Sequence, residues 1–290
     1  MHIVVCVKEV PNPALPLEFD FKNNTVKSDE WNYILNRYDE VALEQALIIK
    51  EKFGGMVTVI TLGPVRSEKI LRDCLAQGAD KAFRVDITGL SLPDSLTTAK
   101  LLSLVISQMA GDIILCGDQS TDRNCAETGS MLAELLGLPV VTSVVEMDIN
   151  IKENRATVSK RLERGARVKI RCLLPALFTT DIMLNEPRYP TLPGRKKAAG
   201  SEIKEINIGD LLKDNGLPNI ERQLTQVISI TPPPPKKIFI PTGDLSPVER
   251  IRMLTQGVST RKSVGNILEG TPEQLAQKVV TFLAEKRFLS

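Results

Sequence analysis

The sequence predicts an α/β fold: a doubly wound, mostly parallel sheet with antiparallel additions and a C-terminal helical extension. Two observations predict it. Through the first half, short β-branched apolar runs alternate with helical patterns, and continuous apolar strands between helices belong to a parallel sheet covered on both faces. From about Val140 charged and apolar residues alternate instead, as they do in strands half exposed to water.

Ile3-Val4-Val5-Cys6-Val7 is the first strand. Asn36 stands where it can cap a helix with the buried stripe Ala42, Ala46, Ile49 and Phe53, stopped by Gly54-Gly55. The strand Val57-Thr58-Val59-Ile60-Thr61 comes next, then a helix carrying Ile70, Leu71, Cys74 and Leu75 that ends at Gly78. Ala82-Phe83-Arg84-Val85 is the third strand, and a helix opening near Pro93-Asp94 shows Leu102, Val105, Ile106 and Met109. After Ile113-Ile114-Leu115-Cys116, a fourth helix runs from around Asn124 to Gly137-Leu138-Pro139. Thr157 to Leu174 supplies antiparallel strands, and Ala176-Leu177-Phe178-Thr179-Thr180 a further apolar one.

Between Asn185 and Pro193, three prolines in seven residues exclude helix and central strand. That leaves an ordered loop or a docking arm. The expected division is an α/β domain over 1–200, a linker or arm over 201–235 ending in the Pro232 to Pro235 spacer, and a helical extension over 236–290 that packs on a partner or the core. In the extension, Ser246-Pro247-Val248-Glu249 and Thr271-Pro272-Glu273-Gln274 are capping boxes with proline at the first helical position. The second helix lines up Leu275, Val279 and Phe282.

Composition narrows the function. The 290 residues carry 37 Lys and Arg against 35 Asp and Glu, a net charge of +2, so no global field favours nucleic acid or an anionic membrane. The five cysteines form no CxxC pair, and the chain opens on a strand-like run without a leader or any apolar stretch of about 20 residues. A cytoplasmic protein without membrane insertion is expected. With one histidine (His2), no paired thiols and no GxSxG, the expectation is no metal site and no catalytic side chains. Redox chemistry would then belong to a bound cofactor.

The candidate site is the loop Gly117-Asp118-Gln119-Ser120-Thr121-Asp122-Arg123-Asn124-Cys125-Ala126-Glu127-Thr128-Gly129, which follows a buried strand and enters a helix. Amides and a helix dipole there suit an anion. Ser120, Thr121, Thr128 and Asn124 add donors, and Arg123 adds positive charge. A polar loop that only caps its helix fits the spacing equally well. The strand ends near Cys6 and Leu62-Gly63-Pro64, with Asn36-Arg37-Tyr38-Asp39, fall at the same carboxyl edge. Three loops converging there have the geometry of an adenine nucleotide crevice. Neither GxGxxG nor GxxxxGK[ST] is present, which weighs against ordinary dinucleotide and ATPase sites.

Several motifs together resemble one family. Val7-Lys8, Asn36-x-x-Asp39-Glu40-x-Ala42-x-Glu44, Gly63-Pro64, Gly78-Ala79-Asp80, the Gly117 loop and Leu184-Asn185-Glu186-Pro187-Arg188-Tyr189-x-Thr191-Leu192-Pro193 are similar, in that order, to electron transfer flavoprotein beta subunits (FixA family). The resemblance implies a sheet of the adenine nucleotide alpha hydrolase type and a heterodimer with an alpha subunit that carries the redox FAD. It implies AMP in this chain or, in bifurcating members that oxidise NADH, a second FAD. By matched position, Cys6, Asn36, Arg37, Tyr38, Asp39, Leu62 and Gly117 to Thr128 would contact the nucleotide. Tyr189, Thr191, Leu192 and Pro193 would dock onto an acyl-CoA dehydrogenase-type flavoprotein of fatty acid beta-oxidation.

The loop departs from the family pattern at Gly117-Asp118-Gln119-Ser120 and Arg123-Asn124, and lacks the Asp-Gly-Asp-Thr of bifurcating members. Cys125-x-x-Thr128-Gly129 is closer to the AMP-binding type. A stand-alone adenine nucleotide-binding protein similar to universal stress proteins is the alternative on the same sheet. Arg161, Arg164, Arg167, Lys169 and Arg171 make a solvated strand face, from which one arginine is a candidate to reach the flavin. Lys196-Lys197 would steer an acidic partner.

Overall fold

The computed structural model describes residues 1–15, 19–20, 25–26, 32–87, 93–215 and 270–285, with isolated positions from 225 to 248. The chain runs β1 (His2–Cys6), β2 (Glu9–Pro11), β3 (Phe19–Asp20), β4 (Thr25–Val26), β5 (Tyr33–Leu35), α1 (Arg37–Phe53), β6 (Met56–Gly63), α2 (Glu68–Gln77), β7 (Lys81–Asp86), α3 (Ser95–Ile106), β8 (Ile113–Gly117) and α4 (Thr128–Leu136). It continues through β9 (Val140–Asn150), β10 (Arg155–Arg161), β11 (Arg167–Leu173), β12 (Ala176–Thr180), α5 (Leu192–Ala199), β13 (Ile203–Asn207) and α6 (Ile208–Asn215). Two units divide it, Met1–Pro232 and Pro233–Ser290.

Nine strands form one sheet in the order β11-β10-β9-β12-β8-β1-β6-β7-β13. From β9 through β12, β8, β1, β6 and β7 to β13 every pairing is parallel, and β10 and β11 are added antiparallel. The period of two in β1 explains why both faces are covered. Ile3 and Val5 turn to the side of α1 and α2, with Leu43, Leu71 and Phe178. Val4 turns to the side of α3 and α4, with Leu101, Ile114 and Leu132. The outer strand β11 exposes Arg167, Lys169 and Arg171, and such charges guard a sheet edge against pairing with another chain.

Several elements differ from the sequence expectation. Asn36 stands at the N-cap position of α1, but its side chain makes no cap hydrogen bond. The helix after β8 begins at Thr128 rather than near Asn124. Asn124 and Ala126 both hold φ at 56°, in the left-handed region, so the backbone cannot turn helical before them. A helix also starts inside the proline-rich stretch, at Leu192. Pro193 is accommodated because first-turn N–H groups have no helical partner to lose. Residues from 203 on, read as polar connection, add β13 beside β7 in the register Ile203↔Ala82, then α6.

In the second unit, the helix Pro272–Glu285 carries its capping box. Thr271 N donates to Gln274 Oε1 at 3.2 Å, and Gln274 N to Thr271 Oγ1 at 3.5 Å. Val279 and Phe282 of its apolar stripe are about half exposed. The Pro232 to Pro235 spacer and most of the Ser246 to Glu249 box lie outside the described residues. Among the described residues, no helix is long and apolar enough to cross a membrane.

Candidate functional site

From β1 the sheet grows one way through β6 and β7 and the other way through β8 and β12. The carboxyl ends of β1 and β8 therefore mark the point where strand order reverses, the usual ligand position in an open α/β sheet. A crevice of about 180 Å³ opens there. Its floor includes Cys6 and Cys116, partners in register on the two strands. Leu62, Ile87 and the α3 residues Ser95, Thr98 and Leu102 form an apolar wall with two hydroxyls. The start of α1 and the loop from Gly117 to Gly129 close the other side.

The side chain of Asn36 leaves its own helix to hold this loop. Its Nδ2 donates to Gln119 O at 2.9 Å, and its Oδ1 accepts from Thr121 N at 3.2 Å. Gln119 Nε2 donates to Tyr38 Oη at 2.8 Å. Asp118 is turned towards β9 and β12, accepting from Ser143 N at 3.1 Å, Ser143 Oγ at 2.9 Å and Thr179 Oγ1 at 2.5 Å. Three donors thus occupy the carboxylate. A cation reaches the loop from just beyond β1: Lys8 Nζ lies 2.6 Å from Asp122 and 3.3 Å from Ser120 Oγ. Burial works to raise the Asp122 pKa, but Lys8, the Ser120 hydroxyl and the Arg123 amide together hold the carboxyl below its ordinary range. Arg123 Nη1 donates to Pro93 O at 2.8 Å, fixing the guanidinium at the rim.

At the far end of the loop, Glu127 caps α4 with its carbonyl alone, accepting from Met131 N at 3.0 Å. No side chain caps the first turn. Thr128 and Gly129, the first helical residues, line the crevice, so α4 presents free amide donors and its positive dipole end to a bound anion. Burial, with a smaller push from Asp39, raises Cys6 to about 12, and burial raises Cys116 as well, so both thiols stay protonated and serve as small apolar surface.

Asp39 sets the spacing of the two central strand ends. It accepts from Lys8 N at 2.8 Å and Gly117 N at 2.9 Å. Burial, opposed by these amides and Asn36, lifts its pKa to about 7. In the unfolded chain it is near 3.9, so between these values the folded state holds a proton the unfolded state has lost. The stabilisation is complete below about pH 4 and is lost as pH rises through 7. Urea midpoints at pH 5 and pH 8 are therefore expected to show wild type losing ground to Asp39→Asn as pH rises, by at most about 1.4 kcal/mol per pH unit. A pH-independent difference between the two proteins would contradict a protonated Asp39.

Of the sequence-derived candidates, Cys6, Asn36, Asp39, Leu62, Gly117, Asp118, Gln119, Ser120, Arg123, Cys125, Ala126, Glu127 and Thr128 line the crevice. Arg37, Tyr38, Thr121, Asp122 and Asn124 do not. Arg37 pairs with Glu40 at 2.8 Å, and Tyr38 O accepts from Thr180 Oγ1 at 3.0 Å. Val7, Lys8, Ile87, Pro93, Ser95, Thr98, Leu102 and Cys116 line it without having been chosen from sequence, and Gly129 lines it from the end of the candidate loop. Lys8 was within reach, since it follows a strand whose carboxyl end was already placed at the crevice; the α3 residues have no local signal.

A second feature lies outside the crevice. Tyr189 is 92% exposed and Leu192 70%, although both sit in an ordered segment. Thr191 Oγ1 accepts from Gly194 N at 3.1 Å, so its hydroxyl caps α5. Pro193 belongs to the first turn of that helix. In the basic stretch, Arg161 pairs with Asp181 at 2.9 Å and Arg167 with Glu146 at 2.7 Å.

Fold and site together define a doubly wound α/β protein with an anion-suited crevice at its topological switch point. Residues 24–211 match the electron transfer flavoprotein domain family. The chain is 34% identical to the electron transfer flavoprotein subunit beta of Thermoanaerobacterium thermosaccharolyticum, over 90% of this chain and 99% of the relative. It is 32% identical to the subunit beta of Bacillus subtilis, over 89% and 88%. It is 35% identical to the caffeyl-CoA reductase-Etf complex subunit CarD of Acetobacterium woodii, over 81% and 89%. The chain belongs to the electron transfer flavoprotein beta subunit family.

Proposed function

We propose that this chain pairs with an electron transfer flavoprotein alpha subunit in the cytoplasm, holds AMP in the crevice, and helps the pair accept electrons from an acyl-CoA dehydrogenase-type flavoprotein. The FAD shared with the alpha subunit supplies the electron transfer when bound. The chain's own residues bind, orient and recognise. On this reading the sheet is of the adenine nucleotide alpha hydrolase type, and the AMP phosphate lies on the first-turn amides of α4, with Lys8 and Arg123 supplying positive charge. The base takes the apolar wall of Leu62, Ile87 and Leu102.

The observation that carries the reading is the uncapped start of α4 opening on the switch-point crevice. The Cys125-x-x-Thr128-Gly129 pattern supports AMP over a second FAD. Tyr189 and Leu192 are the contacts proposed for the dehydrogenase, because rigid exposed side chains lose little freedom on docking.

Co-expression with the alpha subunit is expected to yield a yellow heterodimer with one flavin and, on denaturation, one AMP. Two flavins per heterodimer would replace AMP by a second FAD and support bifurcation. A colourless lone chain that hydrolyses ATP would defeat the electron carrier reading altogether.

A further inference from the structure

The exposed Tyr189 and Leu192 belong to an arm held at both flanks. On one flank Asn185 Nδ2 donates to Val41 O at 3.1 Å and to Gln45 Oε1 at 3.3 Å, both on α1. Arg188 then forks onto the same helix. Its Nε lies 2.8 Å from Glu44 Oε2 and its Nη2 2.8 Å from Glu44 Oε1, while its backbone N–H donates to Glu44 Oε2 at 3.0 Å. Its outer nitrogens also reach Glu51, about two turns further along, with Nη2 3.1 Å from Oε2. On the other flank α5 packs on α2 at Gly194, where a Cβ would stand 2.2 Å from Ala76 O.

Glu44 is a carboxylate only 5% exposed, and among the described residues all the hydrogen bonds to its side chain come from Arg188. Nothing in the crevice uses it, although the same helix frames the crevice at its start. A buried charge of this kind persists only with a well-matched partner, and a planar guanidinium is the side chain that can satisfy both carboxylates at once. The residue next to this clamp is Tyr189, and Leu192 follows three positions later.

We infer that Arg188 is the positioning residue for partner docking: by clamping Glu44 and Glu51 it fixes the arm on α1 and holds Tyr189 and Leu192 in the geometry the dehydrogenase meets. The inference rests on the docking role proposed above for the arm. Arg188 itself does not touch the partner in this scheme. Its contribution is to order the arm before binding, so that association does not have to.

The test uses the heterodimer with its alpha subunit, and the acyl-CoA dehydrogenase that reduces the wild-type complex most rapidly. Arg188→Gln is expected to raise the KM for the complex about tenfold, with kcat and flavin content moving little. Arg188→Lys keeps the charge but loses the fork, and falls between the two. Leu192→Ala also raises KM, and the double variant is no worse than the poorer single one, since both act on one contact. A normal KM in Arg188→Gln beside a raised one in Leu192→Ala would overturn the positioning role alone. A normal KM in Leu192→Ala would overturn the docking reading and the positioning role with it. Should Arg188→Gln fail to assemble, Glu51→Gln removes only the exposed half of the clamp. Amide hydrogen exchange over residues 186–192 must then rise, and unchanged protection would overturn the inference.

Discussion

Arg84→Ala is expected to lower folding stability by about 3–5 kcal/mol, read as a fall in the urea midpoint of the purified protein. Among the described residues Arg84 is the largest of the fully buried side chains, 2% exposed in the middle of β7. Its Nη1 lies 2.9 Å from Asp86, its Nη2 2.6 Å from Glu205 and its Nε 3.3 Å from Glu68. One guanidinium thus joins three elements: its own strand, the edge strand β13 and the helix α2. Alanine would take the guanidinium away from Asp86, Glu205 and Glu68 together. Arg84→Met restores volume but not charge, and is expected to recover only the packing part of the loss. Adding Glu205→Leu to Arg84→Met should recover more, because that removes one of the stranded carboxylates. An unchanged midpoint in Arg84→Ala would show that the cluster is bound no more tightly than a surface ion pair.

The same residue shows what local pattern can and cannot reveal. Val4, Ile60 and Ile114 announce their strands because burial on both faces demands continuous apolar runs. Ile203-Lys204-Glu205-Ile206-Asn207 reads as polar connection, because β13 is an edge strand whose attachment includes a salt bridge to a residue 121 positions earlier. No window of sequence contains both halves of that contact. Asn36 illustrates a different limit. Its residue type and position mark a helix start, but a side chain that satisfies a cap can equally satisfy the Gln119 carbonyl and the Thr121 amide, and only the fold brings those within reach.

The crevice was legible in part for the reason that doubly wound sheets bring alternate strand ends to one edge. Once Cys6, Leu62 and Gly117 stood at that edge, their convergence followed. Asp118 shows that sequence displays a charge without its orientation: only the fold brings Ser143 and Thr179 to occupy its carboxylate. The arm was legible as irregular from its prolines, but its hold on α1 depends on Glu44 and Glu51, whose contact with Arg188 spans well over a hundred residues of sequence.

The sharpest test of the crevice is a single methyl group at Gly117. This glycine needs no unusual backbone angle; it needs space. A Cβ there would stand 2.3 Å from Asp39 Oδ1, 2.6 Å from Tyr38 Cβ and 3.0 Å from Tyr38 C. The last two belong to the first turn of α1, which cannot shift as a flexible side chain can. Gly117→Ala must therefore push the start of α1 from the end of β8, and with it Asn36, which holds the loop at Gln119 and Thr121. Overpacking of this kind costs about 1–3 kcal/mol, and strain taken up at the crevice corresponds to about a 10- to 100-fold loss of nucleotide affinity. Gly137→Ala supplies the contrast. That residue sits at the end of α4 with φ 65° and nothing within 4 Å of a built Cβ, so it should cost about 1 kcal/mol through backbone conformation alone. Retention of AMP by the purified heterodimers after gel filtration, measured beside their urea midpoints, separates the two effects. Gly117→Ala is expected to lose nucleotide, and Gly137→Ala to lose stability while keeping it. Equal retention in the two variants would mean that the approach of α1 to β8 does not shape the binding site.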